Sequence, residues 1–243
     1  MYIIDERVIG LFIGDLEPNH NYAAMLRNLS IRNRSDIEYA AVKLYSSGIV
    51  FRIARQRRIC GEAAIIHALS PLVDKIWAYF NLTPNTSNNQ SNFDKFHEDL
   101  CDCFLSISTG AGFTHTYGNA QKMVNMLFKY LTCFDDYKDF ADLFSYCHVP
   151  IDSIILGKFN LIYHVPNTTD GRVYRGRYSG KYNGVAWTAM SKNDYTALVK
   201  DYRTALFSIK GNHSWLGLEY YIWGGTTIPT TGTQAPVIEE FYM

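Results

Sequence analysis

The chain predicts a mainly α fold, a two-lobed helical bundle with short N-terminal strands. Three observations predict it. Apolar residues recur at three- and four-residue spacing in long runs: Val124, Leu127, Phe128 and Leu131 form one such stripe, and Phe96, Leu100, Cys103, Phe104 and Ile107 another. Capping signatures stand ahead of two further runs, Ser35 with Glu38 and Ser191 with Asp194. Candidate strands are few: the first sixteen residues, where alternation of period two is weak, and Ile49 to Arg55, which reads as a strand or the approach to a helix. The 243 residues, 47% hydrophobic and 15% aromatic, suffice for one sizeable core.

In chain order, residues 1–16 read as two short extended pieces around Gly14, stopped at Pro18-Asn19. Tyr22 to Leu29 reads as a first helix and Asp36 to Ser46 as a second. Gly61 to Phe80 is helical with an interruption at Ser70-Pro71, beyond which Leu72, Ile76 and Phe80 continue the apolar stripe. The polar run 81–92, NLTPNTSNNQSN, has almost no core former. It divides one helical domain into lobes 1–92 and 93–243 around one cleft. A helix covers Phe93 to Ile107, and a Gly/Ser/Thr-rich connection covers Ser106 to Gly118. The next helix has Thr116 or Asn119 as cap, with Gln121 and Lys122 in or near its first turn. Asp135, Asp136, Asp139 and Asp142 read as surface helix. Asp152 reads as the cap of an apolar helix from Ile154. A helix from Ser191 to about Ile209 buries Tyr195, Leu198, Val199 and Tyr202. The aromatic segment Trp215 to Trp223 closes the core, and residues 225–243 form a tail.

Composition narrows the function. Five cysteines, an odd number without Cys-x-x-Cys spacing, read as reduced thiols and a cytoplasmic location, with no zinc centre. No basic leader and no run of eighteen apolar residues is present, so a membrane partner is not expected. Net charge is zero, which counts mildly against a nucleic-acid binder steered by overall charge. Local charge is another matter. Arg52, Arg55, Arg57 and Arg58 form a dense basic run suited to phosphate contact. Arg175 and Arg177, with Arg172 and Lys181, alternate with tyrosines, which suits phosphate contact combined with base stacking. Backbone N–H groups around Gly118 are a further candidate for phosphate contact.

The chemistry-bearing pair is Lys122 and Asp152. A lysine at a helix start is repelled by the unsatisfied N–H groups there, which favours its neutral, nucleophilic form. Asp152 ends the segment His148-Val149-Pro150-Ile151-Asp152, thirty residues on, and could face the same cleft. Lys129, two turns further along the helix, is a competing amine.

Gln121-Lys122 and Val149-Pro150-Ile151-Asp152 resemble the helix-hairpin-helix DNA glycosylase/lyase superfamily, nearest its archaeal-type 8-oxoguanine glycosylase branch. Gln121-Lys122, Asn125 and Lys129-Tyr130-Leu131, with His148-Val149-Pro150-Ile151-Asp152, also resemble a set of uncharacterised bacterial proteins. The match covers about 40 residues. The usual Leu-Pro-Gly-Val-Gly hairpin is missing; Thr109-Gly110-Ala111-Gly112 and Tyr117-Gly118-Asn119 are its nearest substitutes. The resemblance implies a glycosylase-like bundle that excises a damaged or modified base from DNA. Lys122 would attack the sugar and Asp152 assist, with no metal or cofactor. Gln121, His148, Lys129, Trp215 and Trp223 are candidate substrate contacts, an aromatic near a cleft being suited to holding a flipped base. The act would serve repair or attack on foreign DNA with modified bases. The rivals are a nucleic-acid-binding protein without chemistry, a metal-dependent nuclease using the scattered acids, and an interaction protein with solvated charged faces.

Overall fold

A computed structural model describes residues 4, 9, 10, 12, 26–46, 62–82, 89–110, 114–161, 181, 182, 184–210 and 214–224. These residues form a mainly α, multi-helical bundle, and no β-sheet occurs among them. The helices are α1 (Arg34–Ser46), α2 (Glu62–Leu82), α3 (Gln90–Gly110), α4 (Tyr117–Leu131), α5 (Ala141–Phe144), α6 (Ser153–Leu161), α7 (Lys192–Lys210) and α8 (Trp215–Gly224). Single 3-10 turns cover Tyr137–Phe140 and Trp187–Ala189.

Helix α4 is the axis of the bundle. α1, α3, α7 and the Trp187–Ala189 turn all pack on it, α1 also packs on α2, and α8 rests on α6 and α7. Its start is set by Thr116, whose hydroxyl accepts from Asn119 N–H at 3.2 Å while the Asn119 side chain accepts from Thr116 N–H at 3.2 Å. The capping box therefore uses Asn119, not Gln121. Such a cap stabilises a helix by about 1 kcal/mol.

Two expectations need correction. Ile9, Gly10 and Phe12 are helical, so the N-terminal segment is not a pair of strands where it is described. Ile9 and Phe12, three apart, are both buried in the core, which is helical rather than strand spacing. Helix α2 also runs through Pro71 without a break. A proline inside a helix costs about 3 kcal/mol. Against that, Leu69, Leu72, Val73 and Ile76 are fully buried around it, each contributing about 1.5–3 kcal/mol. The neighbouring side chains are also fixed, since Arg34 bonds Ser70 Oγ and Asp74 Oδ1.

Residues from both predicted lobes join in one hydrophobic core, from Ile37 and Ile76 through Phe104 and Leu127 to Leu216. Asp135, Asp139 and Asp142 are exposed, as expected of a surface segment, and two acids of the run have partners. Asp136 accepts from Ser30 Oγ and Ile31 N–H, at 2.7 and 2.8 Å, and Asp139 pairs with Arg32 at 2.7 Å. No helix among the described residues is long and apolar enough to cross a membrane. Cys101, Cys103, Cys133 and Cys147 are free thiols.

Candidate active site

Periodicity predicts one buried stripe on α4, but every residue of this helix except Asn119 is buried. Its polar side chains must therefore find partners inside the protein. Each of Gln121, Lys122, Asn125 and Lys129 does so.

Lys122 is 5% exposed, and its Nζ lies 2.7 Å from Asp152 Oδ2. Asp152 sits at the start of α6. Its Oδ1 accepts from Ile155 N–H at 2.9 Å, and its carbonyl takes the first helical bond, from Leu156 N–H at 2.9 Å. One carboxylate thus caps a helix and receives the lysine, and its side chain keeps 16% of its surface in water. Lys122 is the sixth residue of α4, not a member of its first turn. The field of a helix start fades within that turn, so the partner of this amine is Asp152 rather than the helix terminus.

The segment 147–152 has no regular secondary structure and lies alongside α4. Gln121, fully buried, donates to Ile151 C=O at 2.8 Å and accepts from Ile151 N–H at 3.1 Å. It also donates to Gly118 C=O at 3.0 Å and accepts from Asn125 Nδ2 at 3.1 Å. With four bonds its amide is saturated. Asn125 Nδ2 also reaches Val149 C=O at 3.1 Å and Tyr195 Oη at 3.0 Å. Asn125 Oδ1 takes a bond from His97 Nε2 at 2.9 Å, which makes Nε2 the protonated nitrogen.

His148 continues this network. Its Nδ1 lies 2.9 Å from Tyr195 Oη, its Nε2 lies 2.8 Å from Asp94 Oδ1, and its ring stacks on His97 at 4.1 Å. Burial pushes the His148 imidazole down to about 4, against the pull of Asp94, and pushes His97 well below its ordinary value. Both rings are therefore neutral at pH 7. Burial would raise the Asp94 carboxyl, but the bonds from His148 and Arg203 outweigh it and hold the group well below the usual range. Arg203 grips Asp94 through both terminal nitrogens, at 2.9 Å each.

Lys129 lies two turns from Lys122 and is 1% exposed. Its Nζ stands 2.7 Å from Glu219 Oε2, 4.1 Å from the Phe12 ring centroid and 4.4 Å from that of Tyr220. Burial lowers the Lys129 amine and raises the Glu219 carboxyl, each opposed by the other's charge. Both groups also feel Lys122 and Asp152, so the two ion pairs form one electrostatic unit.

Lys122 and Asp152 thus stand together as the sequence suggested. Gln121, His148 and Lys129, expected as substrate contacts, are instead committed to internal partners. Trp215 is 7% exposed and packs edge-on against Tyr202 at 6.4 Å. Trp223 lies in α8, its side chain outside the described residues. Gly118, expected near a phosphate, gives its N–H to Met190 C=O at 3.1 Å, and a Cβ there would meet Trp187 O at 1.8 Å. It is a close-packing position. Arg52, Arg55, Arg57, Arg58, Arg175 and Arg177 lie outside the described residues. Lys181 and Tyr182, from the second basic run, bond Asp201 on α7.

Sequence reasoning missed Glu219, Asn125, Tyr195 and Arg203 as members of these networks. A signal existed for two of them. Glu219 is the one charge in the aromatic run WLGLEYYIW, and Asn125 stands midway between Gln121 and Lys129 at four-residue spacing. Among the described residues, no group of three or more His, Cys, Asp or Glu is placed to hold a metal ion. Compared with family models, curated proteins and solved structures, the chain gives no match.

Proposed function

We propose that the protein is a DNA glycosylase that removes a damaged or modified base and cleaves the strand through a lysine imine. The observation that carries this reading is the buried Lys122 amine, 2.7 Å from a carboxylate that solvent still reaches. A lysine attacks only as the free amine, and Asp152 Oδ2 stands where it can take the proton. The amine nitrogen forms a bond to C1′ as the N-glycosidic bond breaks, and the base leaves with the bonding electrons. Opening of the sugar ring, with O4′ taking a proton, converts the adduct to an imine; loss of the C2′ proton then expels the 3′ phosphate. Asp152 as carboxylate would also stabilise positive charge developing on the sugar. The basic runs Arg52–Arg58 and Arg172–Lys181 are the proposed phosphate contacts on a DNA partner.

Borohydride trapping tests it. The protein is mixed with duplexes carrying an abasic site or one of a panel of damaged and modified bases, and reduced. A covalent adduct that Lys122→Ala abolishes and the double variant Lys129→Met, Glu219→Leu retains supports the reading. Base release without trapping would leave a glycosylase without the lyase step. Salt-dependent binding with neither product would replace it by a binding protein without chemistry.

A further inference from the structure

We propose that Gln121 and Asn125 are positioning residues that fix Val149–Asp152 against α4 and so hold the Asp152 carboxylate on the Lys122 amine. The inference rests on the reading of Lys122 and Asp152 as the reacting pair, and it gives Gln121 a task other than substrate contact. An extended segment normally has its peptide groups satisfied by a neighbouring strand. Here two side-chain amides do that work. Val149 C=O bonds Asn125, Pro150 has no N–H to satisfy, and both Ile151 N–H and Ile151 C=O bond Gln121.

The consequence follows from adjacency in the chain. Gln121 is the residue before Lys122, and Ile151 the residue before Asp152. The Gln121–Ile151 rung therefore stands next to the Lys122–Asp152 rung, and a slip of one displaces the other. Gln121 cannot turn its amide over without placing N–H against Ile151 N–H. Asn125 cannot turn over without placing its oxygen against Gln121 Oε1 and Val149 C=O, both acceptors. The orientation passes outward from there. Tyr195 Oη accepts from Asn125 and gives its proton to His148 Nδ1, and His148 donates to Asp94, which Arg203 clamps from α7. The two amides are fully buried and bonded to the segment and to each other, so they act on Lys122 and Asp152 through the backbone.

The test compares the wild type with Gln121→Met, which removes all four bonds, and Lys200→Ala, an exposed position on α7. The probe is a duplex with an abasic site. Three quantities are read: the single-turnover adduct rate at saturating DNA, the DNA Kd, and hydrogen exchange at Ile151 N–H. Gln121→Met should slow the adduct about 100-fold, the usual effect of misplacing a reacting group by an ångström. Its Kd should stay within twofold. Ile151 exchange should accelerate at least 100-fold while Leu127 and Phe128 remain protected. Lys200→Ala should change none of the three quantities. An unchanged adduct rate and unchanged Ile151 exchange in Gln121→Met overturn the proposal, as does a loss confined to the DNA Kd. If Gln121→Met does not fold, Gln121→Glu takes its place, since it keeps both acceptor contacts and loses both donor contacts. If the wild type forms no adduct, the glycosylase reading fails by itself. Ile151 exchange and the rate of Lys122 reductive methylation by formaldehyde then decide whether the clamp exists; a faster methylation in the variant supports it, and an equal rate refutes it.

Discussion

Asp152 meets Lys122 with one oxygen, 2.7 Å from Nζ, and caps α6 with the other, 2.9 Å from Ile155 N. Substitutions can separate these two tasks. Asn is as good a helix cap as Asp. Asp152→Asn should therefore keep the cap and leave the buried Lys122 without its counter-charge. Asp152→Ala should lose both. Breaking a buried pair by removing one partner costs about 3–5 kcal/mol, and loss of the cap about 1 kcal/mol more. Urea unfolding should rank the proteins wild type, Asn variant, Ala variant. Equal stability of the two variants would show that the cap contributes nothing.

Lys129 and Glu219 invite a different comparison. Each is 1% exposed, so either alone would be a stranded charge. Lys129→Met and Glu219→Leu should each cost about 3–5 kcal/mol. The double variant should lie within about 1–2 kcal/mol of the wild type, because a buried pair replaced by apolar groups of similar volume loses little. A double-mutant cycle by denaturant unfolding measures it. Additive losses would mean that the pair is not coupled.

Acid should unfold the protein in two stages. The folded His148 holds a value of about 4 against an ordinary 6.5, and His97 is depressed as well. The unfolded chain then takes up protons that the folded chain refuses. Stability is full above pH 6.5 and falls as the pH drops from there to about 4, by about 3 kcal/mol for His148. Below pH 4, loss of the depressed Asp94 carboxylate adds a second decline. Unfolding free energies between pH 7 and 4.5 should show the first slope, and His148→Gln should flatten it.

Gly118 has no room for a side chain. A methyl group there would overlap the Trp187 carbonyl oxygen at 1.8 Å, and a backbone atom cannot swing aside. Gly118→Ala should cost about 1–3 kcal/mol, as overpacking does. The effect should appear as a lower thermal midpoint. It should also appear as faster exchange of Gly118 N–H, which now bonds Met190 C=O.

The helices were legible where polar and apolar residues alternate at helical spacing. α3 and α7 announce themselves through Phe96–Leu100–Phe104 and through the Ser191–Asp194 cap, whose reciprocal bonds are present at 3.0 and 3.2 Å. The juxtaposition of Lys122 with Asp152 was legible as well, through two short motifs. What escaped was the second face of α4. Its apolar stripe suggested a solvated opposite side, yet α1, α3, α7 and the Trp187 turn enclose it. Such enclosure depends on residues seventy or ninety positions away, as Tyr195 is from Asn125 and Glu219 from Lys129. No local pattern encodes that. Pro71 was misleading for a related reason, since burial on both sides of it outweighs a local cost.

The double engagement of Asp152 has a dynamic consequence. A carboxyl group that accepts a proton becomes a weaker acceptor for the Ile155 amide, and it also ceases to attract an ammonium group. Every proton passed from Lys122 would thus slacken the first turn of α6 at the moment the amine is released. If the pair reacts as proposed, release of the amine and stability of that turn would move in opposite directions, with the buried Ile155 and Leu156 registering the change.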